Sequence, residues 1–194
     1  IRRILELKDD AEVTYVAEDR PNVAFVTSTT TTGAMGGVAG ADQLCRDAAT
    51  RGGLPGTFIA YLGSVAQAAE DRVAGSRGWV RAGDGAPIAD TAESMLAGAI
   101  FNGIDRDETG AKLTRALPLY VWTGSTTTGG SVDNCKEWTG TGLWGEFGLV
   151  GGATGDMLHP YNVYGFGCSA QASLYCCRRV AAPCGMAPSE WLTR

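Results

Sequence analysis

The fold of this chain is decided by residues 40–62, which read GADQLCRDAATRGGLPGTFIAYL. Apolar residues recur within this stretch at i, i+3, i+4 and i+7, the spacing of one helical face; they are Ala41, Leu44, Cys45 and Ala48. Gly52 and Gly53 follow, and glycine ends helices because it accepts the left-handed conformation of a helix terminus. The apolar run at 57–62 is typical of a strand. The stretch therefore predicts a helix that faces the core through Cys45 and leads into a strand.

Further short strands and a second helix are predicted along the chain. Runs of β-branched and aromatic residues predict strands at 23–28, 78–81, 120–123 and 173–179. Asp90 or Thr91 is a suitable N-cap for a second helix that ends near Ala97. Beyond Thr139 the chain is rich in glycine and aromatic residues, which predicts long loops up to Gly167. Short strands and few helices together indicate an α+β fold.

Composition divides the 194 residues into an arm, a domain and a tail. Residues 1–20 include ten Arg, Lys, Asp or Glu residues, which is typical of a solvated arm, a linker or a docking segment. Residues 21–182 are expected to form one domain, and residues 183–194 a C-terminal tail. The chain opens with charged residues where a signal peptide would be apolar, so we expect a mature form or a fragment.

Charge and hydropathy argue against several classes of function. The net charge is −5 and Lys and Arg form no long run, so neither nucleic acid nor heparin is an expected partner. No stretch approaches the ~20 consecutive apolar residues that a membrane-spanning helix needs. The single histidine, His159, has neither C-x-x-C pairs nor a nucleophile motif around it, so zinc and enzymatic activity are not expected.

The chain has six cysteines, which in an acidic sequence of this size indicate disulfide bonds. Disulfide bonds persist in oxidising compartments, so the expected location is secreted or at the cell surface. Six cysteines permit 15 pairings, and the residues alone do not assign the bridges.

Several motifs, in this order, resemble the endostatin family, whose fold is a compact variant of the C-type lectin-like fold. They are GADQLC at 40–45, GLPGTFIAYL at 53–62, VWTGS at 121–125, CKEW at 135–138, Cys168, and LYC at 174–176. Bacterial endostatin-like surface proteins share these motifs more closely, and the resemblance covers about residues 23–180. It implies a disulfide-bonded α+β domain with short strands, two helices and long loops.

The resemblance also implies two nested disulfide bonds, Cys45–Cys176 and Cys135–Cys168. Cys177 and Cys184 are extra to the family pattern, and we predict that they pair with each other and hold the tail. In the alternative, Cys177 enters the core bridge and Cys176 pairs outside it. The zinc of endostatin is held largely by N-terminal histidines and its heparin by an arginine-rich face. This chain has neither, so neither property is carried over.

Aromatic residues in the glycine-rich stretch are the candidate ligand-binding residues: Trp144, Phe147, Tyr161 and Tyr164. Aromatic side chains displayed on loops offer apolar area with a polar handle, which suits sugars and protein partners. The alternative is that these side chains cover the core where regular structure is thin.

Asp105, Asp107 and Glu108 form a candidate calcium site. Asn102 precedes them and Gly110 follows, and calcium prefers several carboxylate and carbonyl oxygens on a flexible loop. The spacing is not that of an EF-hand, and the alternative is a solvated turn. Calcium is the one cofactor that the sequence suggests.

These observations favour a binding module over an enzyme. We expect a bacterial, extracellular or cell-surface module of the adhesin type, which recognises an extracellular protein or glycan through loops on a disulfide-bonded scaffold. The alternative is a structural or decorating subunit of an extracellular appendage or assembly. Its partners would then be copies of itself or other subunits, contacted by residues 1–20 and by the tail with Trp191.

Overall fold

A curled mixed β-sheet forms the centre of the computed structural model, which describes residues 21–114, 120–125, 133–151 and 166–179. The strands are β1 (Asn22–Val26), β2 (Thr57–Ala60), β3 (Arg77–Arg81), β4 (Pro87–Thr91), β5 (Tyr120–Trp122), β6 (Trp144–Gly145), β7 (Phe147–Leu149), β8 (Phe166–Gly167) and β9 (Ser173–Arg179). The helices are α1 (Gly37–Arg51) and α2 (Ala92–Leu96), with a 3-10 turn at Glu70–Arg72 and a left-handed turn at Cys135–Trp138. The predicted arm and tail lie outside the described residues.

β9 is the strand around which the sheet is built, because it pairs with three other strands. β1 pairs with it in antiparallel fashion and places Phe25 opposite Cys176. β2 is also antiparallel and places Ala60 opposite the same Cys176, so β1 and β2 lie on opposite edges of β9. β5 runs parallel to the first residues of β9, and the main strand order is β4-β3-β1-β9-β5-β7. One edge of β9 is therefore shared by β2 and β5 in succession.

Both faces of the sheet are covered by apolar side chains. Successive side chains of a central strand point to opposite faces, so one strand contributes to both buried clusters. On β9, Leu174 and Cys176 belong to one buried cluster, and Tyr175 and Cys177 belong to the other. The first cluster includes the buried face of α1, and its large members include Phe25, Phe58, Leu62, Trp122, Trp138 and Phe147. The second cluster includes the buried residues of α2, and its large members include Tyr61, Trp79, Ile88, Met95, Ile104 and Tyr175.

The helix α1 covers the first face through Ala41, Cys45 and Ala48, which are fully buried. The predicted helical face is thus confirmed for these residues, but Leu44 is 37 % exposed and does not belong to the core. Gly53 has a φ of +66° and lies where the helix ends, as predicted. The Cys45–Cys176 disulfide joins α1 directly to β9.

The helix α2 covers the second face and begins at a side-chain cap. The hydroxyl oxygen of Thr91 accepts a hydrogen bond from the backbone N–H of Ser94 at 3.0 Å. Of the two predicted caps, Thr91 is therefore the one that is used. Ala92 and Met95 are the buried residues of the helix.

The described residues have the mixed α+β fold that was predicted, with few helices and two disulfide bonds. The strand at 173–179 matches β9 at both ends, whereas β4, β6, β7 and β8 were not predicted. β4 begins with Pro87 and lies at the edge of the sheet, a position where proline is tolerated and the sequence signal is weak. Neither helix in the described part of the chain has the length and apolar character needed to cross a membrane.

Candidate binding site

Trp144 differs from the other tryptophans that the structure describes. Trp79, Trp122 and Trp138 are buried in the two core clusters, whereas Trp144 is 58 % exposed. Its neighbour Leu143 is exposed to the same extent. An exposed indole offers a ligand a large apolar area with a polar N–H group.

A two-stranded ribbon carries this surface. β6 and β8 pair in antiparallel fashion, with Trp144 opposite Gly167. On the other edge of β6, Gly145 forms a β-bridge with Asn134. The backbone N–H of Cys168 also donates to the carbonyl oxygen of Leu143 at 2.8 Å. Pairing on both sides therefore holds the backbone that presents the indole of Trp144.

The left-handed turn Cys135–Trp138 precedes the ribbon and has φ angles between 51° and 59° at all of its residues. None of these residues is glycine, and each left-handed residue of this kind costs roughly 1–2 kcal/mol. The Cys135–Cys168 disulfide holds one end of the turn. At the other end the indole N–H of Trp138 donates to the carbonyl oxygen of Gly63 at 2.7 Å. Tertiary contacts therefore maintain a backbone conformation that the local sequence disfavours.

Two glycines allow the backbone to pass close to this disulfide. A Cβ atom on Gly33 would lie 2.3 Å from the sulfur of Cys135, and one on Gly145 would lie 2.6 Å from it. Both distances are far below van der Waals contact, so no side chain fits at either position. The bridge is therefore packed directly beneath β6, which limits movement of the ribbon.

Two carboxylates share the neighbourhood of Trp144. Burial alternates along the chain, with Trp144 exposed, Gly145 buried, Glu146 half-buried and Phe147 buried. This is the pattern of an extended segment, so Trp144 and Glu146 lie on the same side. The backbone N–H of Glu146 donates to the carbonyl oxygen of Asp133 at 2.7 Å. Burial and the charge of Asp133 raise the pKa of the Glu146 carboxyl group above its usual value.

The structure places the predicted aromatic residues in different environments. Trp144 is displayed, but Phe147 is buried and packs edge-on against Tyr120 with ring centroids 4.8 Å apart. Phe147 is therefore a core residue, in line with the alternative considered for these aromatic side chains. The alternation from Trp144 to Phe147 is the signal that would have separated them. Tyr161 and Tyr164 lie outside the described residues.

The carboxylates proposed for calcium have separate protein partners. Asp105 forms ion pairs with Arg81 at 2.7 Å and with Lys112 at 3.3 Å. The Asp107 carboxylate accepts hydrogen bonds from the backbone N–H and the hydroxyl of Thr109, at 2.9 and 2.7 Å. Asp107 thus organises its own turn, while Asp105 joins a surface network of charges.

The Glu108 carboxylate contacts a different part of the fold from Asp105 and Asp107. Its carboxylate accepts hydrogen bonds from the backbone N–H of Ser28 at 2.9 Å and from the Ser28 hydroxyl at 2.6 Å, and it pairs with Arg51 at 3.3 Å. Within the described ranges no three His, Cys, Asp or Glu side chains are grouped so that they could hold a metal ion. Calcium binding by Asp105, Asp107 and Glu108 therefore stays a prediction.

A buried polar group links α1, the 3-10 turn and β5. The guanidinium of Arg72 donates to both carboxylate oxygens of Asp42, at 2.7 and 2.8 Å. The hydroxyl of Ser125 donates to the carboxylate of Glu70 at 2.6 Å. Asp42 also accepts from the backbone N–H of Ala60 at the end of β2. These contacts connect elements that are distant in sequence, so their role is structural.

The two disulfide bonds implied by the resemblance, Cys45–Cys176 and Cys135–Cys168, are present. The alternative with Cys177 in the core bridge is wrong. Cys177 is buried and forms no disulfide with another described residue, and burial raises the pKa of its thiol to about 12. Its predicted partner Cys184 lies outside the described residues, so that pairing stays a prediction. The two bridges indicate a compartment outside the cytoplasm.

The resemblance to endostatin rests on the motifs quoted above. The mixed α+β architecture and the two nested bridges that it implies are present. A C-type lectin-like fold is a more specific expectation, and it stays a prediction. Comparison with models of known protein families and with curated proteins finds no match for this chain.

Proposed function

We propose that this chain is a secreted or cell-surface binding module of the adhesin type, which recognises a protein or glycan through the ribbon that carries Trp144. The observation that supports this most is the exposure of Trp144, since the other described tryptophans are buried. The two disulfide bonds support the extracellular location.

The rigidity of the ribbon favours binding as its role. A tryptophan has two side-chain torsions, so it offers a large contact area at a small cost in conformational entropy. Strand pairing on both edges of β6 and the underlying Cys135–Cys168 bridge restrict the backbone further. A surface that is already ordered loses less free energy when it binds a partner.

The same proposal includes the endostatin-like variant of the C-type lectin-like fold. The nested bridges and the mixed sheet around β9 support it. In this view the chain binds its partner without covalent chemistry, and the scaffold presents loops and the ribbon.

A binding assay on the oxidised protein tests the proposal. Wild type, Trp144→Ala and Phe101→Ala are applied to immobilised extracellular matrix proteins and glycans, with calcium and then with EDTA. Phe101 is a matched control because it is an aromatic residue that is 62 % exposed at another place. We expect saturable binding that weakens about tenfold or more in Trp144→Ala, the loss typical of a hot-spot aromatic residue, and is retained in Phe101→Ala.

Binding that is equally strong in wild type and Trp144→Ala would contradict a role for the ribbon. Binding abolished by EDTA would instead assign the interaction to a metal site such as the one predicted at Asp105, Asp107 and Glu108. The alternative role as an assembly subunit depends on residues 1–20 and on the tail, which lie outside the described residues, and it stays a prediction.

A further inference from the structure

The surface around Trp144 combines an aromatic face with negative charge. Trp144 and Glu146 lie two residues apart on the same side of an extended segment, so their Cα atoms are about 7 Å apart. Asp133 is joined to Glu146 through the backbone hydrogen bond described above, and its charge acts on the Glu146 carboxylate. One indole and two carboxylates are therefore grouped within reach of a single ligand.

These two carboxylates lie next to each other and, unlike several others, have no arginine partner among the described residues. Asp42, Asp84 and Glu108 each form an ion pair with an arginine. Asp133 and Glu146 form none with any described residue. Two adjacent negative charges repel each other, and a cation between them would remove that repulsion.

The surrounding sequence supplies little positive charge. Residues 116–177 contain no arginine and a single lysine, Lys136. The same stretch contains four acidic residues, which are Asp133, Glu137, Glu146 and Asp156. The whole chain has a net charge of −5, so a basic partner is also attracted at long range.

We propose that Trp144, Glu146 and Asp133 form a docking surface for a basic segment of a protein partner, with an arginine or lysine side chain over the indole. This rests on the proposed binding function and names the class of partner. A cation over the face of tryptophan is attracted by the ring quadrupole, and a guanidinium donates paired hydrogen bonds to a carboxylate. A neutral glycan would stack on the indole but would leave the two carboxylates without a counter-charge. The grouping therefore favours a basic peptide over a neutral sugar.

The test measures binding of an acetylated and amidated peptide of alternating glycine and arginine to the full oxidised chain. It is made near physiological ionic strength, where the Debye length is about 8 Å and long-range attraction is screened. Trp144→Ala and Glu146→Gln are compared with Phe101→Ala and Asp90→Asn, which remove an exposed aromatic ring and an exposed carboxylate elsewhere. Thermal melting of each variant verifies that it is folded.

We expect Trp144→Ala and Glu146→Gln each to weaken peptide binding about tenfold, and the two control variants to change it less than about twofold. The indole N–H resonance of Trp144, assigned by its loss in Trp144→Ala, should shift when the peptide is added. Equal weakening by Asp90→Asn and Glu146→Gln would show only diffuse attraction and would overturn the inference.

Two further outcomes separate this inference from the proposed function. Tight binding of a neutral glycan that Trp144→Ala abolishes, with no saturable peptide binding, would overturn the basic partner and leave the binding module intact. Peptide and panel binding that are both unchanged in Trp144→Ala would overturn the basic docking surface and the functional role of the ribbon together.

Discussion

Glu108 shows how this fold accommodates a charged side chain that is 2 % exposed. The Ser28 backbone N–H and hydroxyl both donate to its carboxylate, and Arg51 lies 3.3 Å from it. These contacts connect the segment after β1 with the end of α1 and with the loop at 104–111. A buried carboxylate with this set of donors is a structural group.

Replacing Glu108 by glutamine should therefore destabilise the protein. The amide has no charge and directs an NH2 group at donors that need an acceptor, so we expect a loss of about 2 kcal/mol in the free energy of unfolding. Urea denaturation measures it. Asp90→Asn is the control, because Asp90 is exposed and the same charge is removed. A loss in Glu108→Gln no larger than that in Asp90→Asn would contradict this structural role.

The ion pair between Asp84 and Arg81 makes the stability of the fold depend on pH in the acid range. Two hydrogen bonds from the Arg81 guanidinium, at 2.6 and 3.2 Å, lower the pKa of Asp84 from 3.8 to about 2. The folded pKa is below that of the unfolded chain, so ionised Asp84 stabilises the fold above about pH 4. This contribution is lost as the pH falls toward about 2.

The loss is measured by comparing wild type with Asp84→Asn in urea denaturation across this range of pH. We expect the stability difference between the two proteins to shrink as the pH falls from about 4 to about 2, because wild type alone loses the ionised carboxylate. A difference that stays constant would show that the Arg81 pair contributes nothing in solution. Asp84 is partly exposed, so the effect also decreases when salt is added.

The left-handed turn Cys135–Trp138 is an element that local propensity opposes. Lys136 has φ 55° and ψ 60°, and its side chain is exposed. The side-chain oxygen of Asn134 accepts from the backbone N–H of Glu137 at 2.9 Å, and the Asn134 amide donates to the Glu137 carboxylate. Local hydrogen bonds thus help the disulfide and Trp138 to hold the turn.

Lys136→Gly should stabilise the protein by about 0.5–1 kcal/mol. Glycine adopts a positive φ without steric cost, and this gain exceeds the added entropy of the unfolded chain. The control is Thr141→Gly in the following loop, where φ is not positive and glycine should be destabilising. Chemical denaturation of both variants checks the sign, and a loss of stability in Lys136→Gly would mean that the turn is not left-handed in solution.

The β9 strand and the Cys45–Cys176 disulfide bond connect the N-terminal part of the domain to its C-terminal part. Cys45–Cys176 closes a loop with a sequence separation of 131, and Cys135–Cys168 closes one with a separation of 33. In the chain-entropy model a longer closed loop restricts the unfolded state more strongly. Both bridges belong to the same buried cluster, and the first one joins α1 to the sheet.

The paired variant Cys45→Ala/Cys176→Ala should lose about 5 kcal/mol in the free energy of unfolding, and Cys135→Ala/Cys168→Ala about 4 kcal/mol. Without its disulfide bond the turn at 135–138 can leave the costly left-handed conformation, which makes the loss of stability in Cys135→Ala/Cys168→Ala smaller still. Thermal and urea denaturation of both variants measure the order. A larger loss for Cys135→Ala/Cys168→Ala would show that the inner bridge contributes through packing beneath the ribbon.

Local sequence patterns were sufficient to predict α1, the strand β9 and a helix cap at either Asp90 or Thr91, and the structure shows that Thr91 is the cap. Each of these depends on residues that are close together in the sequence, through the spacing of one helical face, the residue at a helix start or the alternation along a strand. The disulfide pairing came from the resemblance, because cysteine spacing alone leaves many pairings open. The exposed position of Leu44 was not predictable, since it depends on how α1 is rotated against the sheet.

The amino-acid sequence alone determined the α+β class, the acidic charge, the helix and strand at 40–62 and the use of disulfide bonds. Tertiary structure decided that Trp144 is displayed while Phe147 is buried, and that Glu146 lies beside Asp133. It also decided the left-handed turn and the partners of Glu108. The physical reason is that exposure and ion pairing depend on contacts between residues far apart in sequence, as between Ser28 and Glu108, which local patterns do not encode.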